Sequence, residues 1–239
     1  MTHSAAPVYV ALGDSISIDD YAGGPGRGGA SLLFANRDHD FPEWRGRDLR
    51  SLDGGATFFQ LALDGATTRT LLDLQLPRLA AIPARPTLVT LTIGGNDLLA
   101  AYGDTAAARA VIGRVRAAVA LALPEIAASL APGGRIVVGT VYDPSDGTGD
   151  TLRLGLPPWP DGVAVIGELN AALRAVAAEH GAAVAEIAER FLGHGLLAGN
   201  PVQGDPRPAD RRLWFCNLIE PNAWGADGVR AAFWAALHG

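Results

Sequence analysis

The sequence has only one cysteine, Cys216, among its 239 residues. A single thiol excludes an internal disulfide framework and any zinc site that is built from several cysteines. A chain of this length can bury a core large enough to fold without such cross-links. The length predicts one domain over residues 1–239, because a typical domain has on the order of 150 residues.

The chain also lacks the excess of basic side chains that nucleic-acid binding requires. It has 19 Lys and Arg residues against 25 Asp and Glu residues, which gives a formal net charge of −6. A protein that binds a polyanion needs a positively charged surface to neutralise phosphates. We therefore expect no nucleic-acid partner.

Targeting and membrane-spanning patterns are missing from the sequence as well. The first residues contain no basic segment followed by a long apolar stretch, so the sequence predicts no signal peptide. The most apolar segment, Ala106–Leu130, contains Arg109, Arg114 and Arg116. Three arginines along one segment are not compatible with a membrane span. These observations predict a cytoplasmic protein without a membrane-spanning helix.

Short apolar runs alternate with longer helical patterns along the chain, which is typical of a parallel sheet covered by helices on both faces. Three long helices are predicted at Ala106–Leu130, Val163–His180 and Ala223–Leu237, and Thr70–Asp73 has the spacing of a capping box at the start of another. Two stretches, 17–41 and 193–212, are predicted to be irregular, and long loops in compact domains are often functional. The five predicted strands are Val8–Leu12, Thr57–Leu63, Thr87–Ile93, Arg135–Val141 and Ala183–Ile187.

Small and polar residues follow the first three predicted strands. Gly13-Asp14-Ser15 follows the first strand, Gly65 follows the second, and Gly94-Gly95-Asn96-Asp97 follows the third. Each motif alone is also typical of an ordinary turn. However, the carboxyl ends of parallel strands meet at one edge of a sheet, where α/β proteins bind their ligands. The three motifs together predict a serine nucleophile beside a glycine N–H and an asparagine amide that can stabilise an oxyanion.

These three motifs, in this order, resemble the conserved blocks of the SGNH/GDSL hydrolase family, and the resemblance extends from Val8 to the last helix. It implies a flavodoxin-like three-layer α/β/α fold around a five-stranded parallel sheet. It also implies that Ser15 is the nucleophile and that the N–H groups of Ser15 and Gly65 and the Asn96 amide form the oxyanion hole. Such hydrolases act on small-molecule esters and need no cofactor or metal.

The last block of the family does not match. The family pattern is Asp-x-x-His-Pro, often followed by Asn-x-x-Gly, whereas this chain has Asn217 at the aspartate position and Glu220 at the position of the catalytic histidine. The Pro-Asn-x-x-Gly continuation fits, so the alignment of this block is clear. A glutamate is a weak base for a serine hydroxyl unless burial raises its pKa. Glu220 could therefore be the base, or it could orient a histidine that comes from another part of the chain.

One histidine is a candidate for that second role. His194 lies between two glycines after the fifth predicted strand, which places it at the same edge of the sheet as Ser15. The other four histidines lie near the chain ends, at a helix end or in a solvated loop pattern. The alternative for His194 is an ordinary loop histidine that forms hydrogen bonds with the backbone.

The sequence thus predicts a serine-dependent esterase or acyl hydrolase in which Ser15, Gly65, Asn96, Glu220 and His194 are the candidate catalytic residues. Because the usual histidine is absent, two alternatives stay open: a catalytically impaired binding protein with the same fold, and an acyltransferase. Trp224, which lies close to Glu220 in the sequence, is expected to line the pocket. The sequence predicts neither the ester nor the oligomeric state.

Overall fold

A five-stranded parallel sheet forms the centre of the protein in the computed structural model, which describes residues 6–199 and 212–239. The strand order is β2-β1-β3-β4-β5. The strand that follows β1 in the chain lies on one side of it, and the later strands lie on the other side. A crevice therefore forms beside the carboxyl end of β1, where such sheets bind ligands. The strands are β1 (Val8–Gly13), β2 (Thr57–Gln60), β3 (Leu88–Thr92), β4 (Arg135–Gly139) and β5 (Ala183–Ala185).

Helices cover both faces of the sheet, and the side chains of β1 show why. Alternate residues of a strand point to opposite faces. Val8, Val10 and Leu12 pack into the core on one face, whereas Tyr9 and Ala11 pack into the core on the other. All six residues of β1 are buried, as expected for a strand that lies between two layers of helices.

The helices vary widely in length, and the three longest follow the predicted pattern closely. α6 and α7 pack on the Val10 face of the sheet, and α9 packs on the Tyr9 face. The helices are α1 (Gly29–Phe34), α2 (Leu49–Leu52), α3 (Thr68–Thr70), α4 (Leu76–Ala80), α5 (Gly95–Leu99), α6 (Thr105–Ser129), α7 (Gly162–Glu179), α8 (Ile187–Phe191) and α9 (Ala223–His238).

The predicted three-layer α/β/α architecture with five parallel strands is confirmed. The predicted second strand, Thr57–Leu63, is too long, because regular pairing stops at Gln60. The N–H groups of Leu61 and Ala62 both donate to the carbonyl of Ala11, at 2.8 and 2.9 Å. Two donors that share one acceptor break the regular ladder, and the strand therefore ends there.

The predicted capping box at Thr70–Asp73 was wrong by one turn. Thr67 is the N-terminal cap of α3, and Thr70 is the residue whose side chain returns to the Thr67 backbone. Residues Leu71–Gln75 continue this helix as a π-helical turn, after which α4 begins. The two threonines form this capping box with hydroxyl groups alone. Because its N3 residue, Thr70, is not acidic, the usual sequence pattern of a capping box does not mark the true start of the helix.

The structure contains two further elements that the sequence did not predict, and the first of them lies in a stretch that was predicted to be irregular. The segment 17–41 contains α1, whose residues Gly29–Leu33 are all buried. A short antiparallel hairpin joins β6 (Phe215–Cys216) to β7 (Glu220–Pro221) just before α9. Residues 200–211 of the predicted irregular stretch 193–212 lie outside the described residues.

Among the helices in the described ranges, none is both long and apolar enough to cross a membrane. The cytoplasmic location remains a prediction from the sequence.

Candidate active site

The turn after β1 is fixed by close packing against β3. Gly13 has a φ of +118°, and a Cβ at this position would lie 1.9 Å from the carbonyl oxygen of Thr92. The N–H of Asp14 donates to that same oxygen at 2.9 Å. Only glycine fits at such a close approach with this backbone conformation. Ser15 therefore leaves the sheet immediately after the strand, at the start of a short 3-10 turn.

Asp14 holds that turn in place from a buried position. Its Oδ1 accepts a hydrogen bond from the N–H of Ile16 at 3.2 Å, as an N-terminal cap does. Its side chain is almost fully buried. Burial raises the pKa of Asp14 from 3.8 to about 7, and the nearby charge of Glu220 adds to the increase.

The loops after β2 and β3 are joined by side-chain hydrogen bonds. Asn96 Nδ2 donates to the carbonyl of Ala66 at 3.0 Å. The carboxylate of Asp97 accepts from the N–H of Thr68 at 2.9 Å and from its hydroxyl at 2.6 Å. These bonds fix the position of the Asn96 amide relative to the Gly65 loop.

Two backbone N–H groups at this edge of the sheet are available for a ligand. Within residues 6–199 and 212–239, the N–H groups of Ser15 and Gly65 donate no hydrogen bond. Gly65 is exposed and has a φ of +65°, with open space where a side chain would be. The Asn96 amide has two N–H donors, and its bond to Ala66 uses only one of them. These groups are the donor types that stabilise an oxyanion.

Glu220 is brought to Ser15 by the β6–β7 hairpin. The hydroxyl of Tyr142 donates to the carbonyl of Ile219 at 2.5 Å and so anchors the strand that contains Glu220. Partial burial raises the pKa of Glu220 above its ordinary value of 4.5. The Ser15 hydroxyl partly offsets this increase in the pKa of Glu220, whereas the charge of Asp64 adds to the increase.

Ser15, Asp14, Asn96 and Glu220 all line one cavity, which has a volume of about 880 Å³ including the part that is open to solvent. Most of the remaining wall is aliphatic or aromatic. Gly65 is not part of this lining. The structure therefore brings together the predicted nucleophile, the Asn96 amide and the glutamate, with Gly65 on the adjoining loop.

His194 does not line that cavity. Its side chain is fully buried and stacks on the ring of Trp214, with ring centroids 4.0 Å apart. Its Nδ1 lies 2.8 Å from the carbonyl oxygen of Arg212. These contacts agree with the alternative that the sequence left open for His194, a loop histidine bound to the backbone.

Asn217 and Trp224 lie close to Glu220 in the sequence, and neither has a place in the cavity lining. Asn217 is exposed in the turn of the β6–β7 hairpin at a φ of +41°, a conformation that asparagine tolerates better than most residues. The expectation that Trp224 lines the cavity was wrong. Its ring packs edge-on against Phe41, and the guanidinium of Arg212 lies 3.7 Å from its centroid.

The sequence did not predict the residues that hold the loops of the site in place by hydrogen bonds. Gln75 is fully buried and binds the backbone of Gly13. Thr92 binds the hydroxyl of Ser17 at 2.9 Å, and Tyr142 anchors the hairpin of Glu220. A polar residue inside an apolar helical stretch, as in Leu74-Gln75-Leu76, was the one available signal for Gln75.

Among the described residues, no group of three or more His, Cys, Asp or Glu side chains could hold a metal ion.

Comparisons with known proteins agree with this fold. A lipase from Streptomyces rimosus is 29% identical over 211 residues, which cover 81% of this chain and 74% of that protein. The crystal structure of an extracellular lipase from Streptomyces rimosus is 26% identical, with a TM-score of 0.60, and covers 97% of this chain and 100% of its own.

An acetylxylan esterase from Geobacillus stearothermophilus has the same fold, with a TM-score of 0.64 at 15% identity over 100% of this chain and 97% of its own. The model of the GDSL-like lipase/acylhydrolase family matches residues 11–227. The match covers most of the chain and includes all three strand-end motifs and Glu220. The chain therefore belongs to the GDSL-like lipase/acylhydrolase family.

Proposed function

We propose that this protein is a serine-dependent carboxylic ester hydrolase in which Glu220 replaces histidine as the general base. Family membership supports an acylhydrolase or esterase activity. The observation that carries the finer proposal is that Ser15 and Glu220 line the same cavity, where the Ser15 hydroxyl influences the pKa of the Glu220 carboxyl group. A serine hydroxyl that shares a cavity with a carboxylate is the combination that such a mechanism needs.

In the first step, Ser15 Oγ attacks the ester carbonyl while its proton passes to the Glu220 carboxylate. The carbonyl oxygen becomes an oxyanion, which accepts hydrogen bonds from the N–H groups of Ser15 and Gly65 and from the Asn96 amide. Each such donor contributes on the order of 10²–10³ to the rate in other hydrolases, because it is already in position where the charge develops.

In the second step, the protonated Glu220 gives its proton to the leaving alkoxide as the tetrahedral intermediate collapses to an acyl-enzyme. Water then attacks the acyl-enzyme, Glu220 accepts the water proton, and the same proton returns to Ser15 Oγ as the acid leaves. A raised pKa favours this role, because each pKa unit reduces the cost of moving the serine proton to the carboxylate by about 1.4 kcal/mol.

His194 has no part in this mechanism. Its imidazole is buried against Trp214 and does not line the cavity, so it cannot exchange a proton directly with Ser15 or the substrate. The role of Glu220 as the orienting partner of His194 is not supported by this arrangement.

Labelling with a fluorophosphonate tests the proposal directly, because this reagent reacts with activated serines. We expect wild type to be labelled, with Ser15 identified as the modified residue by peptide mass spectrometry. Ser15→Ala abolishes labelling, Glu220→Gln slows it, and His194→Ala leaves its rate unchanged. Hydrolysis of short aryl esters should follow the same order.

The two alternatives from the sequence give different results. Absence of both labelling and ester hydrolysis in wild type between pH 5 and 9, in a folded protein, would indicate a binding protein. Labelling of Ser15 without ester hydrolysis in water, combined with ester formation when an alcohol is added, would indicate an acyltransferase.

A further inference from the structure

Tyr21 contacts two of the chain segments that form the active site. Its hydroxyl donates to Asp64 Oδ2 at 3.0 Å, and Asp64 directly precedes Gly65. Its carbonyl oxygen accepts a hydrogen bond from the thiol of Cys216 at 3.5 Å. Cys216 is paired with Glu220 in the β6–β7 hairpin. One residue therefore joins the loop of the Gly65 N–H to the hairpin of the Glu220 carboxylate.

The segment that contains Tyr21 has its own internal anchors. The carboxylate of Asp19 accepts hydrogen bonds from the N–H groups of Gly26 at 2.8 Å and Gly28 at 2.7 Å. The N–H of Ala22 donates to the Asp19 carbonyl at 3.0 Å, and Ala22 is buried. The backbone on both sides of Tyr21 is thus held, and its hydroxyl is a fixed point for the neighbouring loop.

The Asp64-Gly65 pair, in contrast, has few contacts of its own. The backbone on both sides of the pair is fixed, because the N–H of Leu63 donates to the Gly13 carbonyl at 3.0 Å and the carbonyl of Ala66 accepts the amide bond described above. Both residues of the pair are exposed, and the glycine has no neighbour where a side chain would be. In the part of the chain that the structure describes, Tyr21 is the only side chain that forms a hydrogen bond with the pair. Since glycine has wide conformational freedom, the orientation of its N–H depends on that bond.

Neither Tyr21 nor Asp64 lines the cavity, so neither is placed to touch the reacting atoms. The Tyr21 hydroxyl also keeps its proton at neutral pH. Its hydrogen bond to Asp64 is the main reason that its pKa rises from 10.0 to about 12, and the charges of Asp64 and Glu220 add to the increase. A hydroxyl that stays protonated is a lasting donor rather than an acid or a base. The contribution of Tyr21 is therefore to hold the loop.

We propose that Tyr21 is a positioning residue of the reaction, which orients the Gly65 N–H through Asp64 and fixes the Gly65 loop relative to the hairpin of Glu220. This role rests on the proposed function. A displaced Gly65 N–H weakens the stabilisation of the oxyanion, which forms only in the transition state, and leaves the ground-state contacts of the ester unchanged. Loss of the Tyr21 hydroxyl should therefore reduce kcat more than it raises KM.

Steady-state hydrolysis of 4-nitrophenyl acetate by Tyr21→Phe measures this effect. We expect kcat to fall about five- to thirtyfold, with KM within about twofold of wild type, because one charge-assisted hydrogen bond at an exposed position is lost. Asp64→Ala should give a similar loss, and the double variant should lose no more than either single variant, because all three lack the same bond. Asp64→Asn should recover most of the rate that Asp64→Ala loses, since it has the same change of charge but keeps an acceptor for the Tyr21 hydroxyl.

Tyr9→Phe is the matched control, because it also removes a tyrosine hydroxyl. That hydroxyl lies 2.9 Å from the hydroxyl of Thr90, in the middle of β3 and within the core, and its loss should leave kcat unchanged in the folded variant. Urea denaturation of Tyr21→Phe should give the wild-type midpoint, because an exposed hydrogen bond contributes little to the free energy of unfolding. A loss of kcat then reports on the site rather than on folding.

Three results would overturn the positioning role and leave the proposed function intact, provided that hydrolysis depends on Ser15. They are a wild-type kcat in Tyr21→Phe, losses that multiply in the double variant, and a loss in Asp64→Asn as large as that in Asp64→Ala. The last result would assign the effect to the charge of Asp64 instead of its hydrogen bond. A folded wild type without ester hydrolysis, or a Ser15→Ala variant as active as wild type, would overturn the proposed function and this role with it.

Discussion

The side-chain amide of Gln75 forms two hydrogen bonds with the backbone of Gly13, two residues before Ser15. Its Oε1 accepts from the Gly13 N–H and its Nε2 donates to the Gly13 carbonyl, both at 2.8 Å. Gln75 is fully buried at the end of the π-helical turn Leu71–Gln75. The turn that carries Ser15 is thus fixed to a helix that contains none of the proposed catalytic residues.

Replacing Gln75 by leucine should reduce the free energy of unfolding by about 2–5 kcal/mol, because two buried backbone groups lose their partners. Urea denaturation measures the loss. The control is Leu74→Ala at the neighbouring, partly exposed position, which should cost less than about 1.5 kcal/mol. A loss for Gln75→Leu no larger than that of the control would show that the Gly13 bonds do not stabilise the fold.

The carboxyl group of Asp14 should contribute more to the free energy of unfolding at acidic pH than at neutral pH. A variant without this carboxyl group should lack that contribution. The pKa of Asp14 is about 7 in the folded protein against 3.8 as an ordinary aspartate. The folded state therefore binds more protons than the unfolded state between these values, and the free energy of unfolding decreases as the pH rises through them. Glu220 and Tyr142 are the titratable groups that share its surroundings.

Asp14→Asn tests this pH dependence, because asparagine can still cap the turn but cannot titrate. Denaturation at pH 4.5 and pH 7.5 should show a smaller decrease in stability for Asp14→Asn than for wild type. Parallel pH dependences for the two proteins would contradict the raised pKa of Asp14.

His194→Ala should affect stability and leave catalysis largely intact. Removing a buried ring that stacks on Trp214 and contacts the Arg212 carbonyl should cost about 2–4 kcal/mol. The value of kcat should stay within about threefold of wild type at a temperature where the variant is folded, because the proposed mechanism gives the imidazole no proton to transfer. A hundredfold or larger loss of kcat in the folded variant would restore His194 as a catalytic candidate.

Asn96→Ala should reduce kcat by on the order of 10²–10³ with a smaller effect on KM, because the amide acts mainly on the oxyanion of the transition state. Asn96→Asp keeps the shape of the side chain but replaces its donors by acceptors, and should be at least as damaging. Steady-state kinetics on a 4-nitrophenyl ester measures both variants. Nearly unchanged kcat values would remove Asn96 from the oxyanion hole.

The sequence predicted the sheet well because its strands are almost continuously apolar. It also predicted the edge of the sheet at which Ser15 and Asn96 line one cavity, with Gly65 on the adjoining loop, since the motifs directly follow those strands. The β6–β7 hairpin escaped prediction, because each strand has only two residues and leaves no periodic pattern. The separation of His194 from the cavity depends on its stacking on Trp214, and spacing along the chain gives no information about such a contact.

The pH dependence of acyl-enzyme formation in wild type and Glu220→Gln tests the central claim, that Glu220 activates Ser15, most directly. In wild type, the rate should rise with pH through an inflection above 4.5, the ordinary pKa of a glutamate, because only the carboxylate accepts the proton. Glu220→Gln should lose this inflection and react on the order of 10²–10⁴ times more slowly, whereas Asp14→Asn keeps the inflection. A Glu220→Gln variant with the rate and pH profile of wild type would contradict the account.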